Sequence, residues 1–232
     1  MKILAVGMNY AKHIDELMEQ REQSQACLNY AESRQNCTPD NNSAKKTLLP
    51  VEPVIFSKPD SAIIQPGKPF FVPDFANRFD YETEIVVRIN RAGKDISERF
   101  AHRYYDELTV GIDFTARDLQ AKLRKEGLPW ELCKGFDGSA GVGKFIKIAD
   151  IGADVQNISF RLDKNGETVQ HGNTRDMIFS IDKIVSYVSR FFMLKTGDLL
   201  FTGTPLGVGP VHEGDILDGY VGEHHLLHLR IK

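Results

Sequence analysis

Asp80, Glu82 and Glu84 alternate with Tyr81 and Thr83 in one short run of the chain. Side chains two apart on a β-strand share a face, so in an extended run the three carboxylates converge, with Tyr81, Thr83, Ile85, Val87 and Ile89 on the other side. Like charges gathered this closely repel, and a cation beside them relieves the repulsion. A hard divalent ion suits the donor set: magnesium takes one to a few carboxylates and keeps waters that a chelating substrate can replace, whereas zinc or iron favours His and Cys. The same alternation also describes a solvated acidic face, so neighbouring residues must decide between the two.

Asp113 closes a second apolar run, Thr109 to Phe114, just before Thr115-x-x-Asp118, which has the form of a capping box with Asp in place of Glu. A helix opening there presents free amide donors and partial positive charge beside Asp113, a setting that favours an anionic substrate. Arg117 and Gln120 lie one turn apart on that helix and offer a guanidinium and an amide for carboxylate recognition, or ordinary helix surface. Near the N-terminus, Asn9 is placed to cap a helix on which His13 and Glu16 are three apart. On one face the carboxylate can orient the imidazole and raise its basicity, as a general-base pair requires; the alternative is two solvated side chains.

The elements that would position these groups follow in order. Lys2 to Val6 reads as a short buried strand ending at Gly7, and Pro53 to Pro59 as a strand with Lys58 at its end. Between them, Glu19 to Lys46 turns polar and resembles a lid-like appendage, which divides the chain into residues 1–52 and a catalytic part, 53–232. Prolines at 66, 69 and 73 predict short edge strands before the acidic one. A short helix is expected over Glu98 to Leu108, and the Thr115 helix should stop near Gly127 and Pro129. Asn165-Gly166 predicts a tight hairpin. Ser180 caps a helix whose Ile181, Ile184, Val185, Val188, Phe191 and Phe192 form a core-facing stripe.

Composition excludes other classes. The chain has 232 residues and a formal net charge of −3, so it is long enough for a sizeable core and carries no basic footprint for nucleic acid. No apolar run approaches a membrane span, and Met1 to Gly7 lacks a secretory signal, so a cytoplasmic protein is expected. Cys27, Cys37 and Cys133 have neither disulfide nor zinc-site spacing. Gly138 to Lys144 satisfies the Gly-x-x-x-x-Gly-Lys pattern, but Phe145 replaces the Ser or Thr that would hold magnesium, and no apolar strand leads in. Gly203 to Gly209 lacks the dinucleotide order. His224, His225 and His228 are close in sequence, but adjacent residues on a strand face opposite ways, which argues against a metal triad.

Taken together, these stretches resemble the fumarylacetoacetate hydrolase family. The matches are Gly7-x-Asn9-Tyr10-x-x-His13, Phe56-Ser57-Lys58-Pro59, Asp80 to Glu84, Asp113 to Gln120, Gly172-Asn173-Thr174 with Met177-Ile178-Phe179, and Thr202 to Gly209. They run in order over most of the chain and are most similar to the small acylpyruvase and oxaloacetate decarboxylase branch. The resemblance implies an α+β, mainly β fold, a mixed sandwich roll or open barrel with flanking helices, normally a homodimer. It implies Glu82, Glu84 and Asp113 as ligands of magnesium or manganese, with calcium a further candidate, and leaves Asp80 outside the ligand set. His13 and Glu16 match the catalytic dyad and Lys134 the active-site lysine. Lys58, Arg117, Gln120 and Thr204 fall to substrate binding. The expected reaction is hydrolysis of a carbon–carbon bond in an acylpyruvate-type β-diketo acid through a pyruvate enolate held by the metal. Oxaloacetate decarboxylation, or isomerase or dehydratase chemistry on a related 2-oxo acid such as 2-hydroxyhepta-2,4-diene-1,7-dioate, is the alternative. The segment Glu19 to Glu52 is longer than the short connection the family pattern has there.

Overall fold

Short runs of β-branched and aromatic residues broken by Gly, Pro and Asn make this a chain of strands. The computed structural model describes residues 1–13 and 49–232. Its strands are β1 (Ile3–Gly7), β2 (Val54–Lys58), β3 (Phe79–Tyr81), β4 (Thr83–Ile89), β5 (Tyr105–Asp113), β6 (Thr115–Ala116) and β7 (Ala140–Val142), followed by β8 (Ile146–Lys147), β9 (Ser159–Lys164), β10 (Glu167–Asn173), β11 (Leu199–Phe201), β12 (Gly209–Pro210), β13 (Ile216–Val221) and β14 (His224–Arg230). Among the described residues, residues 11–13 are helical, and the further α-helices are α1 (Arg117–Glu126), α2 (Glu131–Lys134), α3 (Ile148–Ile151) and α4 (Ile181–Ser189).

A seven-stranded mixed sheet runs β2-β1-β11-β4-β5-β7, with β8 also on β5. β1 and β11 are parallel, and every other pairing in this sheet is antiparallel. A four-stranded antiparallel sheet, β10-β9-β13-β14, packs across it: Gly219 of β13 sits against Val110 of β5, where a Cβ would come within 2.7 Å of the valine. A small third sheet, β12-β3-β6, closes one end. The fold is mainly β, as expected. Ile85, Val87, Leu108, Val110 and Ile112 fill the space between the two larger sheets together with Leu162, Leu217 and Val221.

The predicted hairpin at Asn165-Gly166 is present, with both residues at positive φ, 55° and 86°, as a two-residue primed turn requires. The Ser180 hydroxyl caps α4 by accepting from the Lys183 amide at 3.1 Å. Three expectations need correction. The acidic run is not one strand: it breaks at Glu82, so that Asp80 pairs in the small sheet and Glu84 in the large one. The helix expected over Glu98 to Leu108 is a 3-10 turn, Glu98–Arg103, and Leu108 lies in β5, fully buried. Its apolar side chain is worth more inside the sheet than on a surface helix. Finally, α4 ends at Ser189, leaving Phe191 and Phe192 56% and 39% exposed instead of in the core. Among the described residues, no helix is long and apolar enough to cross a membrane.

Candidate active site

The site lies where the acidic run breaks. β4 and β5 pair with Glu84 opposite Gly111 and Thr83 opposite Ile112, and the Asp113 amide donates to the Glu82 carbonyl at 2.8 Å. That register brings Glu82, Glu84 and Asp113, all buried, to one place, with a carboxylate oxygen from each within 4.8 Å of the other two. Gly111 is required here, because a Cβ would lie 2.6 Å from Val86 and 2.9 Å from Phe201.

Three cations are packed among these acids. Lys134, at the end of α2, donates from Nζ to Glu82 Oε2 at 2.6 Å, Asp113 Oδ2 at 2.7 Å and Thr115 Oγ1 at 2.6 Å. Arg117, the first residue of α1, reaches Glu82 Oε1 at 2.5 Å through Nη2, Asp80 Oδ2 at 2.7 Å through Nε, and Gln120 Oε1 at 2.7 Å through Nη1. Lys58 lies 2.7 Å from Asp113 Oδ1 and also donates to the Lys134 carbonyl and to both oxygens of Ser139. Its ammonium is thus taken up by the protein behind Asp113. Thr115 does not cap α1, which has no side-chain cap; its hydroxyl serves Lys134, while the Asp118 carboxylate holds the Asn77 amide at 2.9 Å. An ammonium buried among acids outbids a surface cap for that hydroxyl, because leaving a buried donor unmet costs more.

The charge states follow from this packing. Burial opposes ionisation of Glu82, but Lys134 and Arg117 outweigh it and hold the carboxyl far below its usual range. For Lys134, burial favours the neutral amine, yet Asp113 and Glu82 dominate and keep it an ammonium. Lys58 is the reverse: burial, helped by Lys134, wins over Asp113 and lowers its pKa. Arg117 is held charged by Glu82 and Asp80 against the cost of burial. Glu84 differs from its neighbours. Among the described residues it has no ion pair, and its Oε2 accepts the Gly203 amide at 2.7 Å. Burial and the Asp113 charge push its carboxyl well above the ordinary value.

This donor set fits a hard divalent cation. The three oxygens come from carboxylates, each engaged oxygen keeps a second lone pair, and the charge on buried Glu84 is left for such an ion to compensate. Asp80 is directed instead to Arg78 and Arg117, with Oδ1 2.8 Å from Arg78 Nε.

The acids open on a narrow cavity of about 30 Å³, also lined by His13, Arg117, Gln120, Lys134 and Thr204. Of the sequence candidates, Glu82, Glu84, Asp113, Lys134, Arg117, Gln120, Thr204 and His13 therefore come together, and Lys58 stands behind Asp113. Glu16 lies outside the described residues, as does the segment Glu19 to Lys46. A wider groove of about 900 Å³, lined by Leu4, Phe75, Leu132, Phe136 and Phe192, has no such convergence of acids.

Two residues position the site in ways the sequence does not show. Asn9 is fully buried, donating to the carbonyls of Phe179 and Thr202 at 3.0 and 2.8 Å and accepting from the Phe179 amide at 2.7 Å. It fixes the chain four residues before His13. Gln170 of β10 accepts from the Thr83 amide at 3.0 Å and donates to Thr204 Oγ1 at 3.0 Å, which ties the hydroxyl of that cavity-lining residue to β10 and β4. Asn9 was visible as part of a motif; Gln170 carried no local signal.

Comparison with known proteins shows the family. The family described as Fumarylacetoacetate (FAA) hydrolase C-terminal matches residues 2–226. The chain is 37% identical over 230 residues to the mitochondrial oxaloacetate tautomerase FAHD1 of Bos taurus, covering 99% of this chain and 90% of the relative. It is 35% identical over 225 residues to the oxaloacetate tautomerase YcgM of Escherichia coli K12, covering 97% and 90%. The crystal structure of fumarylpyruvate hydrolase from Pseudomonas aeruginosa in complex with Mn2+ and pyruvate superposes with a TM-score of 0.79 at 31% identity, covering 100% of this chain and 89% of that one. The chain belongs to the fumarylacetoacetate hydrolase family and is one of its enzymes.

Proposed function

We propose that this enzyme interconverts the keto and enol forms of a small 2-oxo dicarboxylate, oxaloacetate in the first instance. The observation that carries the proposal is the buried ammonium of Lys134, held charged between Glu82 and Asp113 on the cavity that His13 lines. Enolisation removes a proton from the carbon next to a carbonyl and leaves negative charge on that oxygen, so it needs a base on one side and a fixed cation on the other. Lys134 is the cation, since a group held as ammonium donates and does not accept. His13, buried beside Glu82, is the base: its imidazole takes the C3 proton, the C–H electron pair forms the second C2–C3 bond while the C2–O π pair moves onto oxygen, and that oxygen takes a proton from solvent water as the imidazolium returns its own to solvent. Arg117 and Gln120 orient a substrate carboxylate, and Thr204 adds a hydroxyl to the same cavity.

A divalent ion held by Glu82, Glu84 and Asp113 would act as a Lewis acid that polarises the 2-oxo group. Magnesium or manganese suits those oxygens, and the manganese and pyruvate in the Pseudomonas relative support both the ion type and the 2-oxo acid class. The oxaloacetate tautomerases among the relatives move the weight from hydrolysis toward isomerisation. Hydrolysis of an acylpyruvate is a second reading, favoured by the fumarylpyruvate hydrolase likeness, with His13 then activating water. The test is to follow the enol absorbance of oxaloacetate with purified enzyme and magnesium, with acetylpyruvate in parallel. Rapid loss of the oxaloacetate enol signal with oxaloacetate itself conserved is the expected result, and pyruvate release from acetylpyruvate alone would select the second reading.

A further inference from the structure

On the outer face of the second sheet, well separated in the chain from the acids above, a second group of metal-competent side chains meets. Strict alternation would put His225 and His228, three residues apart, on opposite faces of β14. The structure breaks that alternation. Along β13, Asp218 pairs with His228, Gly219 with Leu227 and Tyr220 with His225, so Leu226 is an extra residue in β14. A bulge of this kind turns the residues beyond it by one place and puts His225 and His228 on the same face. Both rings then reach one carboxylate: His225 Nε2 and His228 Nδ1 each lie 2.8 Å from Asp218 Oδ1. One ligand atom from each of the three residues lies within 4.8 Å of the other two.

The surroundings favour a cation at this place. Asp163 of β9 is directly opposite Asp218 in register, and like charges facing each other across strands are unfavourable. Arg161 of the neighbouring β9 is turned elsewhere: it stacks on Tyr220 at 3.9 Å and pairs with Asp163 at 3.4 Å, while the Tyr220 ring in turn lies 4.8 Å from that of His225. The aromatic ring therefore fixes one imidazole, and Asp218 fixes both. The side chains of Asp218, His225 and His228 are 21%, 46% and 56% exposed, which leaves water free to complete a coordination shell.

We propose that Asp218, His225 and His228 form a second metal site, selective for zinc or a similar first-row divalent ion. Two imidazoles and one carboxylate with positions open to solvent suit such ions, whereas magnesium and calcium prefer all-oxygen shells. A carboxylate oxygen only accepts, so in the metal-free chain His225 Nε2 and His228 Nδ1 carry the protons. On binding, the ion takes those positions and each proton moves to the other nitrogen of its ring. The site is independent of the proposed activity, and its consequence is to tie β13 to β14 across the bulge.

The test is zinc titration of the full, tag-free chain in saturating magnesium, by calorimetry and by thermal melting, against His225→Ala/His228→Ala and Asp218→Asn. These positions are on the surface, so both variants should fold and keep their magnesium-dependent turnover. The expected result is one more equivalent of zinc bound by the wild type than by either variant, and a zinc-induced rise in melting temperature that both variants lose. Equal zinc stoichiometry and equal melting shifts in all three proteins would overturn the proposal.

Discussion

Lys134 Nζ donates to Glu82 Oε2 at 2.6 Å, although the two residues are 52 apart in sequence. The bond joins the end of a single-turn helix to the break in the acidic run, and it makes the lysine part of the carboxylate cluster. Replacing Lys134 by Met keeps the volume but removes the cation from both Glu82 and Asp113. Turnover should fall by about 100-fold or more, the scale for losing one preorganised donor at a developing oxyanion. Lys134→Arg should not restore it, since a planar guanidinium cannot make the same three contacts. Steady-state kinetics of the folded variants decides the matter, and near wild-type kcat in Lys134→Met would contradict it.

Arg117 has one guanidinium shared among Asp80, Glu82 and Gln120. Arg117→Lys retains the charge but loses the fork. At least one buried carboxylate oxygen then goes unmet, at a cost of about 1–3 kcal/mol in stability. Urea unfolding should report that loss, together with a raised KM for oxaloacetate if Arg117 and Gln120 receive the substrate carboxylate.

Asn9 and Gly203 hold the loop that carries Thr204. Gly203 has φ +99°, and a Cβ there would lie 2.7 Å from the Asn9 Cβ. Gly203→Ala should therefore strain the backbone and pull its amide from Glu84, lowering both stability, by about 1–3 kcal/mol, and turnover. Asn9→Ala leaves two carbonyls and one amide unmet in the interior and should be the more destabilising change. Thermal melting of the two variants ranks them.

Asp198 joins the start of the chain to its later part. Its carboxylate accepts the amides of Lys2 and Lys195, both at 2.8 Å, and meets Lys2 Nζ at 2.5 Å. Burial alone would raise its pKa, but the Lys2 contacts outweigh it and set the folded value below the ordinary one. A carboxyl lowered on folding contributes stability that is present above its unfolded pKa and lost as pH falls through the folded one. Asp198→Asn should then be destabilised at neutral pH and show a flatter acid limb than the wild type. Unfolding free energies measured from pH 7 down to the acid transition test this; parallel curves would contradict it.

The sequence revealed more about the site than about the elements around it. Glu82, Glu84 and Asp113 were legible because alternation and an apolar strand end are local signals, and the cavity does bring them together. What failed was the continuity of the strand. No local rule reveals that β3 leaves for another sheet at Tyr81, since that depends on its pairing with β6 and β12. Thr115 read as a cap because its spacing to Asp118 is right, and only the long-range arrival of Lys134 explains why its hydroxyl turns inward. Lys58 could be placed on a strand end but not behind Asp113. The histidines of β14 lie on the surface and His224 stands apart from the other two, but that His225 and His228 share a face is not legible, because a bulge is invisible to a rule of strict alternation. Phe191 and Phe192 continued a helical stripe beyond the point where α4 stops.

The central claim is that Glu82, Glu84 and Asp113 hold a divalent ion on which turnover depends, and the most direct measurement is oxaloacetate enol decay in wild type and Glu84→Gln, each with magnesium and after EDTA, against an enzyme-free blank at the same metal concentration. Glu84 is the proposed ligand whose charge is least compensated by protein, so its amide should fold at least as stably as the wild type without metal. The account predicts wild-type decay that falls by about 100-fold or more with EDTA and returns with magnesium or manganese, and decay at the blank rate for Glu84→Gln under every condition. Unchanged turnover after EDTA, or wild-type rates in folded Glu84→Gln, would contradict it.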